Sequence, residues 1–205
     1  MRIISHRGYW LEPAEKNTRA AFERTLAKGF GTETDVRDLA GTLVVAHDPP
    51  KGGEMRWSEL LAMFEGSGLP LAVNVKSDGL APLLIEVFRE SATPWFAFDM
   101  SGPQTVQFAR QGLPFYSRHS DVEPEPILYA EAAGIWLDSF TDDRWIRPDV
   151  IRRHLDAGKA VCVVSSELHG RDPARLWDAL DELRGEAGVT LCTDWPEKAK
   201  AALDL

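Results

Sequence analysis

Residues 30–48 read Phe-Gly-Thr-Glu-Thr-Asp-Val-Arg-Asp-Leu-Ala-Gly-Thr-Leu-Val-Val-Ala-His-Asp. Gly31 to Val36 is a short strand candidate, and alternation along it puts Glu33 and Asp35 on one face and Thr34 on the other. Leu43 to Ala46 follows Asp38-Leu39-Ala40-Gly41 so closely that it reads as a hairpin partner of that strand, an insertion and not a further strand of a parallel sheet. Outward from this stretch the pattern repeats. Strand candidates are Arg2 to Ser5, Leu71 to Lys76, Trp95 to Phe98, Phe115 to Arg118, Gly134 to Leu137, Ala160 to Ser165 and Val189 to Thr193, with helix candidates between them. Asn17 or Thr18 can cap the first helix, Pro173 sits near the start of the seventh, and Gly29, Gly112 and Gly158 follow three of them where a positive φ is wanted. Eight such units predict a single α/β domain over residues 1–205, a small TIM-type (β/α)₈ barrel, with a doubly wound open sheet as the rival.

A chain of 205 residues, 44% of them hydrophobic, can bury one sizeable core. Its 23 Lys and Arg stand against 32 Asp and Glu, a net charge of -9 that repels polyanions, so nucleic acid is not an expected partner. The opening MRIISHRGYW has too few successive apolar residues for a signal segment or a membrane span, and a cytoplasmic location is expected. Cys162 and Cys192 sit in the apolar runs VCVV and LCT without metal-ligand spacing, and read as buried free thiols. No linker, repeat or single apolar stripe stands out, so the oligomeric state is left open.

In a barrel, catalytic groups gather at the carboxyl ends of the strands. His6-Arg7-Gly8 ends the first strand candidate and Val45-Ala46-His47-Asp48-Pro49 ends the hairpin. Two inward carboxylates such as Glu33 and Asp35 repel each other, and the strain is relieved by protonating one or by binding a cation; oxygen ligands suit Mg²⁺ or Ca²⁺. The plain alternative is an amphipathic edge strand with its acids in water. A lone His47 reads more readily as a surface or hydrogen-bonded structural residue than as a catalyst.

Together, His6-Arg7, Glu33-x-Asp35 and His47-Asp48, in that order, resemble the signature of the glycerophosphodiester phosphodiesterase family, part of the PI-PLC-like phosphodiesterase superfamily. EKNTRAAFERTLAKG is similar to the family's acidic-Asn-Thr segment and first helix, and Thr193-Asp194-Trp195-Pro196 to its Thr-Asp-x-Pro motif. The resemblance is tightest over residues 1–50 and weakest through the middle. It implies hydrolysis of a glycerol- or polyol-phosphate diester, a small-molecule substrate. His6 and His47 would be the general acid and base, Arg7 and Lys76 catalytic cations on the phosphate, and Glu33 and Asp35 ligands of a divalent metal. An ordinary imidazole pKa near ~6.5 suits such a pair. A cyclic phosphate formed by a neighbouring hydroxyl is compatible with this chemistry. So are a lyase or transferase acting on surface-polymer phosphodiesters, and a binding protein that has lost turnover.

The third strand departs from the family's Glu-x-Lys: here Asn74-Val75-Lys76 keeps the lysine and replaces the acid by an amide. Asn74 still offers a carbonyl oxygen to the metal but removes a negative charge. Asp48, Asp138 and Glu167 are additional candidate ligands, while Asp99 reads as a helix cap. Arg118 and Arg171 suit the substrate's anionic groups and Trp10 an apolar or sugar-stacking wall. His119 and His154 read as solvated residues, and Trp177 as core.

Overall fold

The computed structural model describes all 205 residues. Nine strands alternate with seven α-helices: β1 Arg2–His6, α1 Arg19–Ala27, β2 Gly31–Leu39, β3 Thr42–Val45, α2 Trp57–Phe64, β4 Leu71–Val75, α3 Ala81–Phe88, β5 Trp95–Phe98, α4 Gly102–Arg110, β6 Tyr116–His119, β7 Gly134–Leu137, α5 Pro148–Asp156, β8 Ala160–Val164, α6 Ala174–Asp181, β9 Val189–Thr193 and α7 Pro196–Ala202. The hydrogen-bonded order is β5-β4-β2-β1-β9-β8-β7-β6, with β3 paired only to β2. That is the cyclic order of a (β/α)₈ barrel, and it excludes the doubly wound sheet. Phe115, just before β6, makes a parallel bridge with Ala97 of β5.

The expected hairpin is present. β3 runs antiparallel to β2 with Leu39 opposite Thr42, across a two-residue turn in which Ala40 and Gly41 have φ of 50° and 80°. Two positive φ values in succession give the turn whose twist matches that of paired strands. Thr18 caps α1, its hydroxyl accepting from the Ala21 N–H, and Gly29, Gly112 and Gly158 take φ of 72°, 66° and 77° after α1, α4 and α5. Asp99 is not a cap: Ser101 accepts from Gln104 N at the head of α4, while Asp99 has φ of 65° in the preceding turn. One unit lacks its helix. The link from β6 to β7 carries Pro124 and Pro126, and each removes a backbone N–H and pushes its predecessor out of the helical region.

Two compact units make up the chain: Met1–Ser5 with Tyr116–Leu205, and His6–Phe115. In the second, Phe22, Trp57, Leu60, Phe64, Leu84 and Phe108 are fully buried between the outer faces of β2, β4 and β5 and their helices. Edge-to-face contacts of Phe22 with Phe64 and of Trp57 with Phe88, both near 6.4–6.5 Å, set their packing. In the first, Ile135, Val161, Val163 and Leu191 form the sheet core under Ile151, Leu176 and Leu180 of α5 and α6. Cys162 and Cys192 are free, fully buried thiols that alternate with those residues and lie on the opposite face of β8 and β9. No helix is long and apolar enough to cross a membrane.

Gly8 follows β1 with φ of 82°, and a Cβ there would lie 2.7 Å from Ala21 Cβ. Gly29, with φ of 72°, has open space around the same position. Gly29→Ala should therefore cost the left-handed backbone penalty of about 1–2 kcal/mol alone, and Gly8→Ala should cost more because α1 must also shift. Thermal unfolding of the two variants side by side checks the order.

Candidate active site

The motif residues His6-Arg7, Glu33-x-Asp35, His47-Asp48 and Asn74-Val75-Lys76 all lie in the unit formed by His6–Phe115, and Thr193-Asp194-Trp195-Pro196 in the other. The centre of the first group is Asp35. Its side chain is fully buried on β2 and takes contacts from three directions: Arg7 Nε at 3.0 Å and Asn17 Nδ2 at 2.8 Å on Oδ2, and Lys76 Nζ at 3.3 Å on Oδ1. The register Asp35 opposite Asn74 puts the Asn74 side chain on the same face, and Lys76, two residues on, follows it. Glu33 lies two residues before Asp35 on that face. Its Oε2 accepts from the Arg7 N–H at 3.1 Å and lies 3.8 Å from His6 Nε2. Burial, and next the charge of Asp35, push the Glu33 carboxyl up to about 7, against the pull of His6, Arg7 and Lys76.

The β1–α1 loop is held against these strand ends by backbone bonds. Arg7, with φ of 57°, donates its N–H to Glu33 O at 2.9 Å, Gly8 N donates to Thr32 Oγ1 at 3.0 Å, and Asn17 N donates to Arg7 O at 2.8 Å. His47, just past β3, is half-exposed; its Nδ1 lies 2.9 Å from Asp48 Oδ1 and its carbonyl accepts from Arg37 Nε at 2.9 Å. That hydrogen bond lowers the exposed Asp48 carboxyl from its ordinary value and, with Nδ1–H as the donor, leaves Nε2 as the basic nitrogen of His47. A cleft of about 630 Å³ is lined among others by Arg7, Lys16, Asn17, His47, Asp48 and Lys51. Trp10 does not line it but lies under Lys16, whose Nζ is 4.5 Å from the indole centre.

The face also offers oxygens to a cation. The Asn74 amide oxygen is buried without a hydrogen-bond partner, and Asp35 Oδ1 has only the lysine contact, with no directed hydrogen bond. Buried polar atoms are seldom left unpaired, and a hard cation would satisfy both while relieving the repulsion between Glu33 and Asp35. The donor set fits Mg²⁺ or Ca²⁺ in atom type, with one charge fewer than three carboxylates. No group of three Asp, Glu, His or Cys side chains converges anywhere in the chain.

The remaining candidates belong to the other unit and are committed to one another. Glu167 accepts from the hydroxyls of Ser165 and Thr193 and from Asp194 N at 3.0 Å, so both its oxygens are occupied in joining β8 to β9. Arg171 donates to the carbonyls of Ser139 at 2.6 Å and Phe140 at 3.1 Å, shaping the loop after β7. Arg118 contacts Glu123 at 3.3 Å and Asp138 at 4.0 Å and stacks over Phe140 at 5.1 Å. Asp138 is bonded to His169 Nε2 at 2.7 Å, a pairing no spacing in the sequence announces.

His154 is not a surface residue. It is 8% exposed, accepting or donating at both ring nitrogens, to His119 Nδ1 and Tyr129 OH, each at 2.9 Å. The hydrophilic RRHLDAG context hid this, because α5 turns His154 inward with Val150 and Ile151. His119 likewise ends β6, half-buried against Trp145.

No family model matches the sequence, and no curated protein matches it with significance. Solved structures do match. A glycerophosphodiester phosphodiesterase from Parabacteroides distasonis ATCC 8503 superposes with a TM-score of 0.74 over 99% of this chain and 96% of its own, at 20% identity. The chain shares its fold. A Ca²⁺-dependent phosphatidylinositol-specific phospholipase C from Streptomyces antibioticus superposes with a TM-score of 0.57 over 100% and 96%, at 11% identity. The likeness extends over essentially the whole length of both neighbours, and it is a likeness of fold.

Burial lowers the pKa of His154 to about 4 and that of His119 in the same direction, with the charges of His119 and Arg153 adding to the effect on His154. A histidine held neutral contributes stability that is fully present above its unfolded value of ~6.5 and is lost as pH falls through that value toward the folded one. Unfolding midpoints should therefore decline from pH 6.5 toward pH 4. His154→Gln should flatten the decline, measured by denaturant titration at several pH values.

Proposed function

We propose that this chain is a phosphodiesterase that cleaves a glycerol- or polyol-phosphate diester by histidine acid–base catalysis with a divalent cation. The observation that carries the reading is the Asp35 cluster: one buried carboxylate joins Arg7, Asn17 and Lys76, with Glu33 and His6 beside it and His47 on the adjoining cleft. The fold's likeness to a glycerophosphodiester phosphodiesterase supports the same chemistry.

Phosphoryl transfer from a diester needs a base for the attacking hydroxyl, an acid for the departing alkoxide and positive charge around phosphorus. Of His6 and His47, the neutral one takes the proton of a water or of a neighbouring substrate hydroxyl as the new P–O bond forms. The protonated one gives its proton to the alcohol oxygen as the old P–O bond breaks. Arg7 holds phosphate oxygens through its planar fork while Asp35 keeps the guanidinium in place, and Lys76 adds a second fixed cation. Glu33, Asp35 and the Asn74 amide would hold Mg²⁺ or Ca²⁺, which when bound supplies further charge to the phosphate oxygens. Asp48 serves His47 through the contact of its carboxylate with Nδ1.

The substrate is a small molecule, and a soluble cytoplasmic enzyme fits the proposal. Asn74 favours one second reading, a phosphate-ester binding protein, because the amide weakens the metal site that turnover would need.

With bis(p-nitrophenyl) phosphate and glycerophosphodiesters as substrates, activity should disappear after EDTA treatment and return with Mg²⁺ or Ca²⁺. His6→Ala and His47→Ala should each lower kcat by ~10²- to 10⁴-fold with the fold intact by circular dichroism. Asn74→Glu should tighten cation binding measured calorimetrically. Wild-type protein that binds phosphate esters without turnover would establish the second reading instead.

A further inference from the structure

We infer that Asn17 is a positioning residue of this site, holding the Asp35 carboxylate at the angle from which it fixes Arg7; the inference rests on the catalytic reading above. Asn17 stands on the last step of the β1–α1 loop, immediately before the Thr18 cap, and has φ of 59°. Asparagine tolerates this left-handed conformation better than most residues with a side chain. The conformation puts its backbone and its side chain on different partners. The backbone N–H goes to Arg7 O at 2.8 Å. The amide spans two neighbours on β2, accepting from Thr34 Oγ1 at 2.9 Å and donating from Nδ2 to Asp35 Oδ2 at 2.8 Å.

The orientation of the amide is set by its partners. A carboxylate only accepts, so the NH₂ end must face Asp35, and the carbonyl end then receives the Thr34 hydroxyl. Flipping the amide would aim an oxygen at a buried carboxylate. Thr34 thus locks the amide, and the amide locks Asp35.

The consequence falls on Arg7. Its Nε makes a 3.0 Å contact with the same Oδ2 that receives the Asn17 amide, while Lys76 holds Oδ1. Neither cation makes a directed hydrogen bond to Asp35, so the carboxylate is oriented by the Asn17 bond, and its rotation would change its distance to both cations. Asn17 also bonds the Arg7 carbonyl, so one residue constrains the arginine at the main chain directly and at the guanidinium through Asp35. A cation that must meet charge developing on phosphate oxygens is sensitive to small displacements, and a misplacement of an ångström can cost ~10²-fold in rate. The burden should therefore fall on kcat more than on KM.

Two substitutions separate the amide from the backbone. Asn17→Gly keeps the left-handed conformation and deletes the amide. Asn17→Asp keeps the shape and the acceptor for Thr34 but sets a carboxylate against Asp35. With bis(p-nitrophenyl) phosphate and the metal-loaded full chain, both should stay folded by circular dichroism with a lowered melting temperature, keep KM close to wild type and lose ~10²-fold in kcat. Crystal structures of the variants should show the Asp35 carboxylate rotated and the Arg7 contact lengthened. Unchanged kcat in both variants overturns the inference, as does a raised KM with kcat intact, which would make Asn17 a substrate-binding residue. If only Asn17→Asp fails to fold, Asn17→Gly decides; if neither folds, the role is structural and the inference falls. If the wild type turns over no phosphodiester, the catalytic reading fails separately. The Asn17→Gly structure then still decides positioning: an Arg7–Asp35 contact unchanged from wild type overturns it, and a displaced one supports it.

Discussion

A carboxylate with no exposure to water is the constraint around which the His6–Phe115 unit is arranged. Burying Asp35 is costly unless it is paired and hydrogen-bonded, and the chain meets that cost from three separate segments. Arg7 comes from the end of β1, Asn17 from the lead into α1, and Lys76 from the end of β4. Loss of any one of the three leaves the buried charge less well compensated.

The local backbone serves the same end. Arg7 and Asn17 both adopt positive φ, an arrangement that costs a side-chain-bearing residue energy. Bonds of Arg7 to Glu33 and of Asn17 to Arg7 hold them there. In the other unit the polar residues at strand ends are spent differently. Glu167, Arg171 and Asp121 accept from or donate to loop atoms around them, with Asp121 taking the N–H groups of Phe140, Thr141 and Asp142. Against the cost of burial, these three N–H groups and the Thr141 hydroxyl hold its carboxyl far below the usual range.

Much of the fold was legible in the order of residues. Short β-rich runs between turn and helix segments marked every strand within a residue or two at its start, and the Ala40-Gly41 turn followed from the spacing of two such runs. The absent helix after β6 was also encoded, in Pro124 and Pro126, yet a count of units passes over it. His154 was misread because charged neighbours say nothing about which way a helix rotates its residues. Asn17 was visible as a candidate cap and as part of the acidic-Asn-Thr resemblance; nothing local to it announces a bridge to a carboxylate 18 positions away.

By itself, then, the sequence determined the alternation of strands and helices, the shared face of Glu33 and Asp35, and the presence of two histidines, an arginine and a lysine at strand ends. These are properties of short windows, governed by steric periodicity and by the free energy of burying apolar side chains. Which groups would meet, and with what partners, was decided only in three dimensions. That Asp35 binds Arg7, Asn17 and Lys76, that Asn74 O is left unpaired, and that Glu167 is consumed by Ser165 and Thr193 all depend on strand register and loop path. Register depends on the packing of the whole sheet, and a buried charge selects its partners from whatever that packing brings within reach.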